Sequence, residues 1–189
     1  MDSSKQRAYM FVDASNFFYA LRDEGWRIDW ERFLSHFRAT YEVVEAYYYE
    51  GTPTLGVFFD SNPTASKEDF KEKKAKLKAY HKRLKGFGYT VRTKPVGRLY
   101  DRSEGKLKHK CNFDVELTVD ALDQIDNYEV CILGSGDGDF DKLIRYLKGR
   151  FKQVIVVAYK DYLSYLLKPN KTIYLGDLRS AIEITWAQP

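Results

Sequence analysis

Four aspartates lie at sequence positions where α/β proteins commonly have functional residues. Asp13 directly follows the apolar run AYMFV, and Asp137 and Asp139 follow the apolar run EVCIL through a short glycine-rich turn. Asp114 lies at the start of a helical pattern that precedes EVCIL. In an open parallel sheet, the loops at the carboxyl ends of the strands form a crevice. We therefore expect these four side chains to meet there.

Carboxylates that share a crevice repel one another unless a cation neutralises them. A divalent metal ion with oxygen ligands is the simplest explanation for such a cluster. Because no Cys or His belongs to the set, Mg²⁺ or Mn²⁺ is expected rather than zinc. Taken singly, Asp13 or the aspartates of the glycine-rich turn could be ordinary helix caps. It is their combination that predicts a metal site.

The turn GSGDGD (residues 134–139) contains three glycines and one serine in addition to its two aspartates. Glycine permits positive φ and a sharp turn, which would let both aspartates project into the crevice. Ser135 is then placed to donate a hydrogen bond to an anion.

The elements that must position these residues alternate between strand and helix. Apolar runs at residues 8–12, 42–50, 89–93, 129–133, 153–158 and 172–175 predict strands. Helical patterns lie between them, which favours a mostly parallel sheet covered on both faces. The predicted fold class is therefore α/β, with Ser15 or Asn16 as the cap of the first helix.

Four further segments complete the prediction. Residues 53–63 are expected to form a loop, because two prolines and a glycine interrupt them. Residues 95–110 predict a loop or a protruding hairpin. Residues 112–125 predict a largely buried helix, and residues 162–167 a short helix.

The overall composition suits one compact domain spanning residues 1–189. The apolar runs are too short to span a membrane, and residues 1–8 lack the apolar region of a signal peptide. A cytoplasmic location is the expectation. The two cysteines show neither CxxC spacing nor a His partner, so a zinc site and a disulfide framework are disfavoured. The sequence leaves the oligomeric state open.

Charge is segregated along the chain. Residues 67–110 contain 16 Lys and Arg against 5 Asp and Glu, a net charge of +11, whereas the other 145 residues carry −7. Such a block is typical of a surface that binds a polyanion, or of a solvated face. The cations that we expect to bind phosphates are Lys71, Lys74 and Lys78 on one helix face and Arg98, Arg102, Lys108 and Lys110 in the following segment.

Three motifs resemble those of a known family. FVDASNF (residues 11–17), KCNFDVELTVDAL (110–122) and GSGDGDFDKLIRYL (134–147) are similar to the signatures of the NYN domain, the LabA-like branch of the PIN superfamily of nucleases. The resemblance implies a PIN-like three-layer α/β/α sandwich and metal-dependent cleavage of RNA. It also implies that Asp13, Asp114, Asp137 and Asp139 form the acidic site, with Asn16 close by.

The chain departs from the family pattern at one place. The family often has a Lys two or three residues before its helical Asp, whereas Lys110 stands four residues before Asp114. Asn112 is a candidate for that place.

Two alternatives remain open at this point. One is an RNA-binding module of the same fold that does not cleave its ligand. The other is a haloacid-dehalogenase-like phosphatase, because GDGDFD (residues 136–141) matches that family's GDGxxD motif. The phosphatase family normally has a second acid two residues after its nucleophilic Asp, and here that position is Ser15.

Overall fold

The computed structural model describes residues 5–103 and 105–184. The strands are β1 (Arg7–Asp13), β2 (Glu42–Thr52), β3 (Tyr89–Pro95), β4 (Gly97–Asp101), β5 (Lys106–Lys110), β6 (Val130–Gly134), β7 (Gln153–Ala158) and β8 (Lys171–Tyr174). The helices are α1 (Ala14–Glu24), α2 (Trp30–Thr40), α3 (Leu55–Ser61), α4 (Lys67–Phe87), α5 (Asp114–Asp123), α6 (Asp141–Gly149) and α7 (Leu175–Ile182). Short 3₁₀ turns lie at Ile125–Asn127, Gly138–Phe140 and Lys160–Tyr162.

Six strands form one sheet in the order β3-β2-β1-β6-β7-β8, and every neighbouring pair is parallel. From β1 the chain proceeds outward to β2 and β3, and it then returns to the other side of β1 to add β6. The strand order therefore reverses between β1 and β6. In such sheets this switch point opens a crevice at the carboxyl edge.

Helices cover both faces of the sheet, which confirms the α/β/α sandwich. On β1, Ala8, Met10 and Val12 pack into one core layer with α1, α2, α4 and α7. Tyr9 and Phe11 point to the other face and pack with α5 and α6. Side chains alternate along a strand, so Asp13 continues the row of Tyr9 and Phe11. This alternation directs Asp13 toward the layer that contains α5.

The cap of α1 differs from the sequence prediction. Neither Ser15 nor Asn16 caps this helix. Asp13 is the N-cap, because its Oδ1 accepts hydrogen bonds from the backbone N–H groups of Ser15 at 3.0 Å and Asn16 at 3.3 Å. One residue thus ends β1 and begins α1.

The prediction of a loop at residues 53–63 is wrong, because α3 lies within it. Pro53 and Pro63 flank this helix and do not interrupt it, and the Thr54 side chain caps its first turn. The prediction of a helix at residues 162–167 is also wrong. Tyr162 is the last residue of a 3₁₀ turn, and residues 163–167 form irregular turns.

The segment at residues 95–110 is the hairpin that the sequence allowed: β4 and β5 pair antiparallel in a separate two-stranded sheet. Helix α5 is less buried than expected. Leu117 and Ala121 are buried, but Val115 and Val119 are 72% and 57% exposed. Within the described residues, no helix is both long and apolar enough to span a membrane.

Candidate active site

Three of the four predicted aspartates form a tight group. Asp114, Asp137 and Asp139 each place one carboxylate oxygen within 4.8 Å of the others. Two oxygens on opposite sides of a Mg²⁺ ion are about 4.2 Å apart, so a single divalent cation fits this donor set with small adjustments. Hard oxygen ligands of this kind suit Mg²⁺ or Mn²⁺.

Asp13 lies beside this group in a drier environment. Burial, together with the neighbouring charges of Asp114 and Asp137, raises the pKa of the Asp13 carboxyl from 3.8 to about 6. The backbone hydrogen bonds from Asn16 and Ser15 oppose this shift. A carboxylate that is costly to ionise in the metal-free protein is a natural partner for a cation.

Asp114 begins α5 and is held by its neighbour Asn112. The Asn112 amide Nδ2 donates to the Asp114 carboxylate at 2.5 Å, and the Asp114 backbone N–H donates to Asn112 Oδ1 at 2.7 Å. Burial and the charges of Asp137 and Asp139 raise the pKa of Asp114, whereas Asn112 and the nearby Lys110 lower it. Lys110 therefore lies within electrostatic reach of the acids.

Ser135 and Asn16 join the loop after β6 to α1. The Ser135 hydroxyl is fully buried, donates to Asp13 Oδ2 at 3.4 Å and accepts from the Asp137 backbone N–H at 3.2 Å. Asn16 Oδ1 accepts from the Gly136 backbone N–H at 3.0 Å. In this arrangement both side chains position the acids, and a direct contact with substrate stays a prediction for each.

The glycines of the turn serve close packing and not positive φ. Among the described residues, the glycines with positive φ are Gly25, Gly88 and Gly105, all outside the turn. A Cβ atom on Gly136 would lie 2.2 Å from the Tyr162 carbonyl oxygen, and one on Gly138 would lie 2.6 Å from Ser164 Oγ. The expectation that these glycines use positive φ is therefore wrong.

A cleft of about 520 Å³ opens between this turn and the segment at residues 161–166. Asp137, Asp139 and Asp161 line it, together with Leu163 and Leu166. Sequence reasoning missed the contribution of residues 161–166, because it assigned most of them to a short helix with no role at the site. The small residues that face them in GSGDGD are the signal that could have revealed this close approach.

Among the predicted phosphate-binding cations, Lys110 acts electrostatically on Asp114, and several others contact partners outside the acidic group. On α4, Lys71 pairs with Glu68 at 3.2 Å, and Lys74 Nζ lies 5.7 Å from the centre of the Phe70 ring. Lys78 and Arg102 are exposed. On the hairpin, Arg98 contacts Asp60, and Lys108 contacts Asp101 at 2.8 Å. These basic residues therefore belong to two elements, α4 and the hairpin.

The family model described as the NYN domain matches residues 7–174. The chain belongs to the NYN domain family. NYN domains are in general nucleases that use divalent metal ions, which agrees with the acidic cluster.

Two relatives are similar to this NYN domain over most of its length. The low amplitude and bright protein LabA of Synechococcus elongatus is 31% identical over 184 residues, covering 95% of this chain and 89% of LabA. The crystal structure of a protein of unknown function from Vibrio parahaemolyticus matches with a TM-score of 0.71 at 23% identity, covering 97% of this chain and 99% of that one. The second likeness shows a shared fold.

Proposed function

We propose that this NYN domain is a divalent-metal-dependent ribonuclease that hydrolyses phosphodiester bonds within RNA. The observation that carries the proposal is the convergence of Asp114, Asp137 and Asp139 beside Asp13 at the switch point of the sheet. RNA is the substrate that the resemblance of the three motifs implies. The basic segment supplies the attraction for a polyanion that an acidic site lacks.

The chain's own residues would hold and orient the reacting groups. Asp13, Asp114, Asp137 and Asp139 are the proposed ligands of Mg²⁺ or Mn²⁺, and a bound ion of this kind activates water and stabilises charge on the attacked phosphate. Asn112 fixes the Asp114 carboxylate, and Ser135 ties Asp13 to the loop of Asp137. We propose that Lys110, whose charge acts on Asp114, attracts the phosphate. The proposed substrate contacts are Asn16, Ser135, Lys71, Lys74, Lys78, Arg102, Lys108, Lys110 and Asn112; Arg98, also predicted from the sequence, is bound to Asp60 instead.

The test is an assay with end-labelled unstructured RNA, structured RNA and DNA, in Mg²⁺, Mn²⁺ or EDTA. We expect RNA cleavage with either ion and none in EDTA. Asp137→Asn should lower the rate at least about a hundredfold, because it removes a metal-binding charge worth several kcal/mol in the transition state. Asp123→Asn is the matched control, since Asp123 ends α5 and contacts Gln124.

The outcomes separate the alternatives. Full activity in EDTA or in Asp137→Asn would contradict the proposal. Tight RNA binding without cleavage in any metal would instead support a binding module. Rapid hydrolysis of p-nitrophenyl phosphate that depends on Asp13, without RNA cleavage, would indicate a phosphatase with Asp13 as nucleophile.

A further inference from the structure

The hairpin of β4 and β5, here called the arm, presents two different faces. Side chains of directly paired residues share a face of a two-stranded sheet. The Arg98–His109 and Tyr100–Leu107 pairs lie on one face, which we call the inner face. The pairs that contain Lys106, Lys108 and Lys110 lie on the opposite, outer face.

The inner face is bound to α3 through the carboxylate of Asp60. Asp60 accepts from Arg98 Nη2 at 2.8 Å, and its other oxygen lies 2.8 Å from Arg98 Nε and 3.0 Å from His109 Nε2. Both strands of the arm are thus tied to the same residue. His109 and Arg98 hold the pKa of Asp60 below its usual value, so the carboxylate stays ionised at neutral pH.

The Arg98 side chain passes close over Gly56 on its way to Asp60. A Cβ atom at Gly56 would lie 3.1 Å from Arg98 Nη1 and 3.3 Å from Arg98 Cδ. The guanidinium therefore passes over the one residue of α3 that has no side chain. Bidentate Arg–carboxylate contacts are directional, so this contact fixes the orientation of the arm as well as its position.

The outer face carries a row of cations that leads to the acidic site. Lys106, Lys108 and Lys110 are alternate residues of β5, so the row spans about 14 Å at the usual strand rise. The end of the row nearest the acidic site is Lys110, whose charge acts on Asp114. Lys108 also contacts Asp101, which balances part of the charge in the middle of the row. A line of cations that ends at an acidic metal site is complementary to a chain of phosphates.

We propose that the arm, held on α3 by Asp60, binds phosphates outside the scissile bond and so favours RNA chains long enough to reach Lys106. Asp60 is a positioning residue: it touches no nucleotide and acts through Arg98 and His109. This inference rests on the proposed ribonuclease function. It divides the basic residues of the hairpin into anchors, Arg98 and His109, and phosphate contacts, Lys106 and Lys110.

The sign of the effect of Asp60→Asn tests this division. Removing an acid makes the protein more positive, so long-range electrostatics alone predicts tighter RNA binding. Loss of the anchor predicts the reverse, because the lysine row is no longer held in place. We expect the dissociation constant for an unstructured RNA of about 20 nucleotides to rise about three- to tenfold. Binding of a dinucleotide, whose single phosphate cannot contact both ends of the row, should not change.

Binding is measured in EDTA by fluorescence anisotropy with end-labelled oligouridylates, on the full chain. Arg98→Lys is the second variant, because it keeps the charge but loses the two-pronged contact, and it should also weaken binding of the long RNA alone. Lys106→Gln should reduce the slope of log affinity against log salt by about 0.7. Asp126→Asn and Arg27→Gln, which change exposed residues outside the arm and α3, are the matched charge controls.

RNA binding in EDTA tests this inference, whereas RNA cleavage with metal tests the proposed function. If Asp60→Asn binds the long RNA as tightly as the wild type or more tightly, while thermal unfolding shows an intact fold, the inference is overturned. The same holds if dinucleotide binding falls equally, since the effect would then not depend on length. Absence of cleavage with Mg²⁺ and Mn²⁺ contradicts the proposed function instead and leaves the binding result standing.

Discussion

At the scale of single residues, Asp13 both stabilises and destabilises the fold. It caps α1 through Oδ1, which stabilises the fold, but its carboxylate is largely removed from water beside other acids. The capping contacts do not offset that cost, since the pKa remains raised. Active sites commonly store free energy in this way, because a group prepared for a ligand is poorly satisfied without it.

Asp13→Asn should therefore stabilise the metal-free protein near neutral pH. Because the folded-state pKa of about 6 exceeds the unfolded value of 3.8, stability is lost as the pH rises through this window. The Asn side chain keeps the Oδ1 acceptor and carries no charge. In EDTA at about pH 7.5, urea unfolding should show the variant more stable by an order of 1–3 kcal/mol.

At about pH 4 the two proteins should be nearly equal in stability, because Asp13 is then protonated in the fold. Excess Mg²⁺ should narrow the difference at high pH by stabilising the wild type. Asp123→Asn serves as the control and should show no such pH dependence. A wild type that is the more stable protein in EDTA at high pH would contradict this explanation.

The four acids were predictable because strand ends and helix starts are visible in the sequence pattern. The role of Asp60 was not, because its partners Arg98 and His109 follow it by 38 and 49 residues across a fold that the sequence does not show. For the same reason the sequence placed Arg98 among the phosphate contacts, although its guanidinium is bound to Asp60. Cations can be counted from a sequence, but their partners cannot.

At the scale of elements, the acidic turn depends on the segment that packs against it. The Ser164 backbone N–H donates to the Gly136 carbonyl at 2.9 Å, so residues 160–167 lie directly on the turn. The apolar residues at 162–167 resemble a short helix in sequence, but this contact holds them as turns. The loop prediction at residues 53–63 failed for a different reason: prolines that flank α3 look like interruptions unless the helix boundaries are known.

Two glycine-to-alanine changes should have opposite effects on stability. At Gly136 the new Cβ would overlap the Tyr162 backbone, so Gly136→Ala should lower the free energy of unfolding by about 1–3 kcal/mol and displace Asp137. At Gly86, inside α4, no described atom lies within 4 Å of the new Cβ once the chain neighbours and the nearby backbone of the helix are left out. Gly86→Ala should therefore raise stability by about 0.5–1 kcal/mol.

Urea unfolding of both variants, with metal binding by calorimetry, checks this pair. Gly136→Ala should also weaken Mn²⁺ binding, whereas Gly86→Ala should leave it unchanged. If Gly136→Ala is as stable as the wild type, the close packing of the turn against Tyr162 does not constrain the site.

At the scale of the whole molecule, the fold places opposite charges around one edge of the sheet. Since β2 and β3 are parallel, α4 runs back across the sheet, with Lys71 nearer the carboxyl edge than Lys78. The arm also leaves from that edge, directly after β3. The acidic centre is therefore approached from two basic elements, α4 and the arm. The strand order predicts neither the direction nor the number of phosphates contacted, so salt dependence is the informative measurement.

The affinity for a long unstructured RNA should fall linearly with salt on a log–log plot, with a slope set by the number of phosphates contacted. If α4 binds the strand, replacing Lys71, Lys74 and Lys78 together with Gln should reduce this slope by about 2. Lys71 already pairs with Glu68, so it should contribute less than Lys78. An unchanged slope in this variant, together with a reduced slope in Lys106→Gln, would assign the α4 face to solvent and the RNA to the arm alone. Because each lysine that contacts a phosphate releases its own counterions, the two slopes measure the path of the strand over the protein without requiring cleavage.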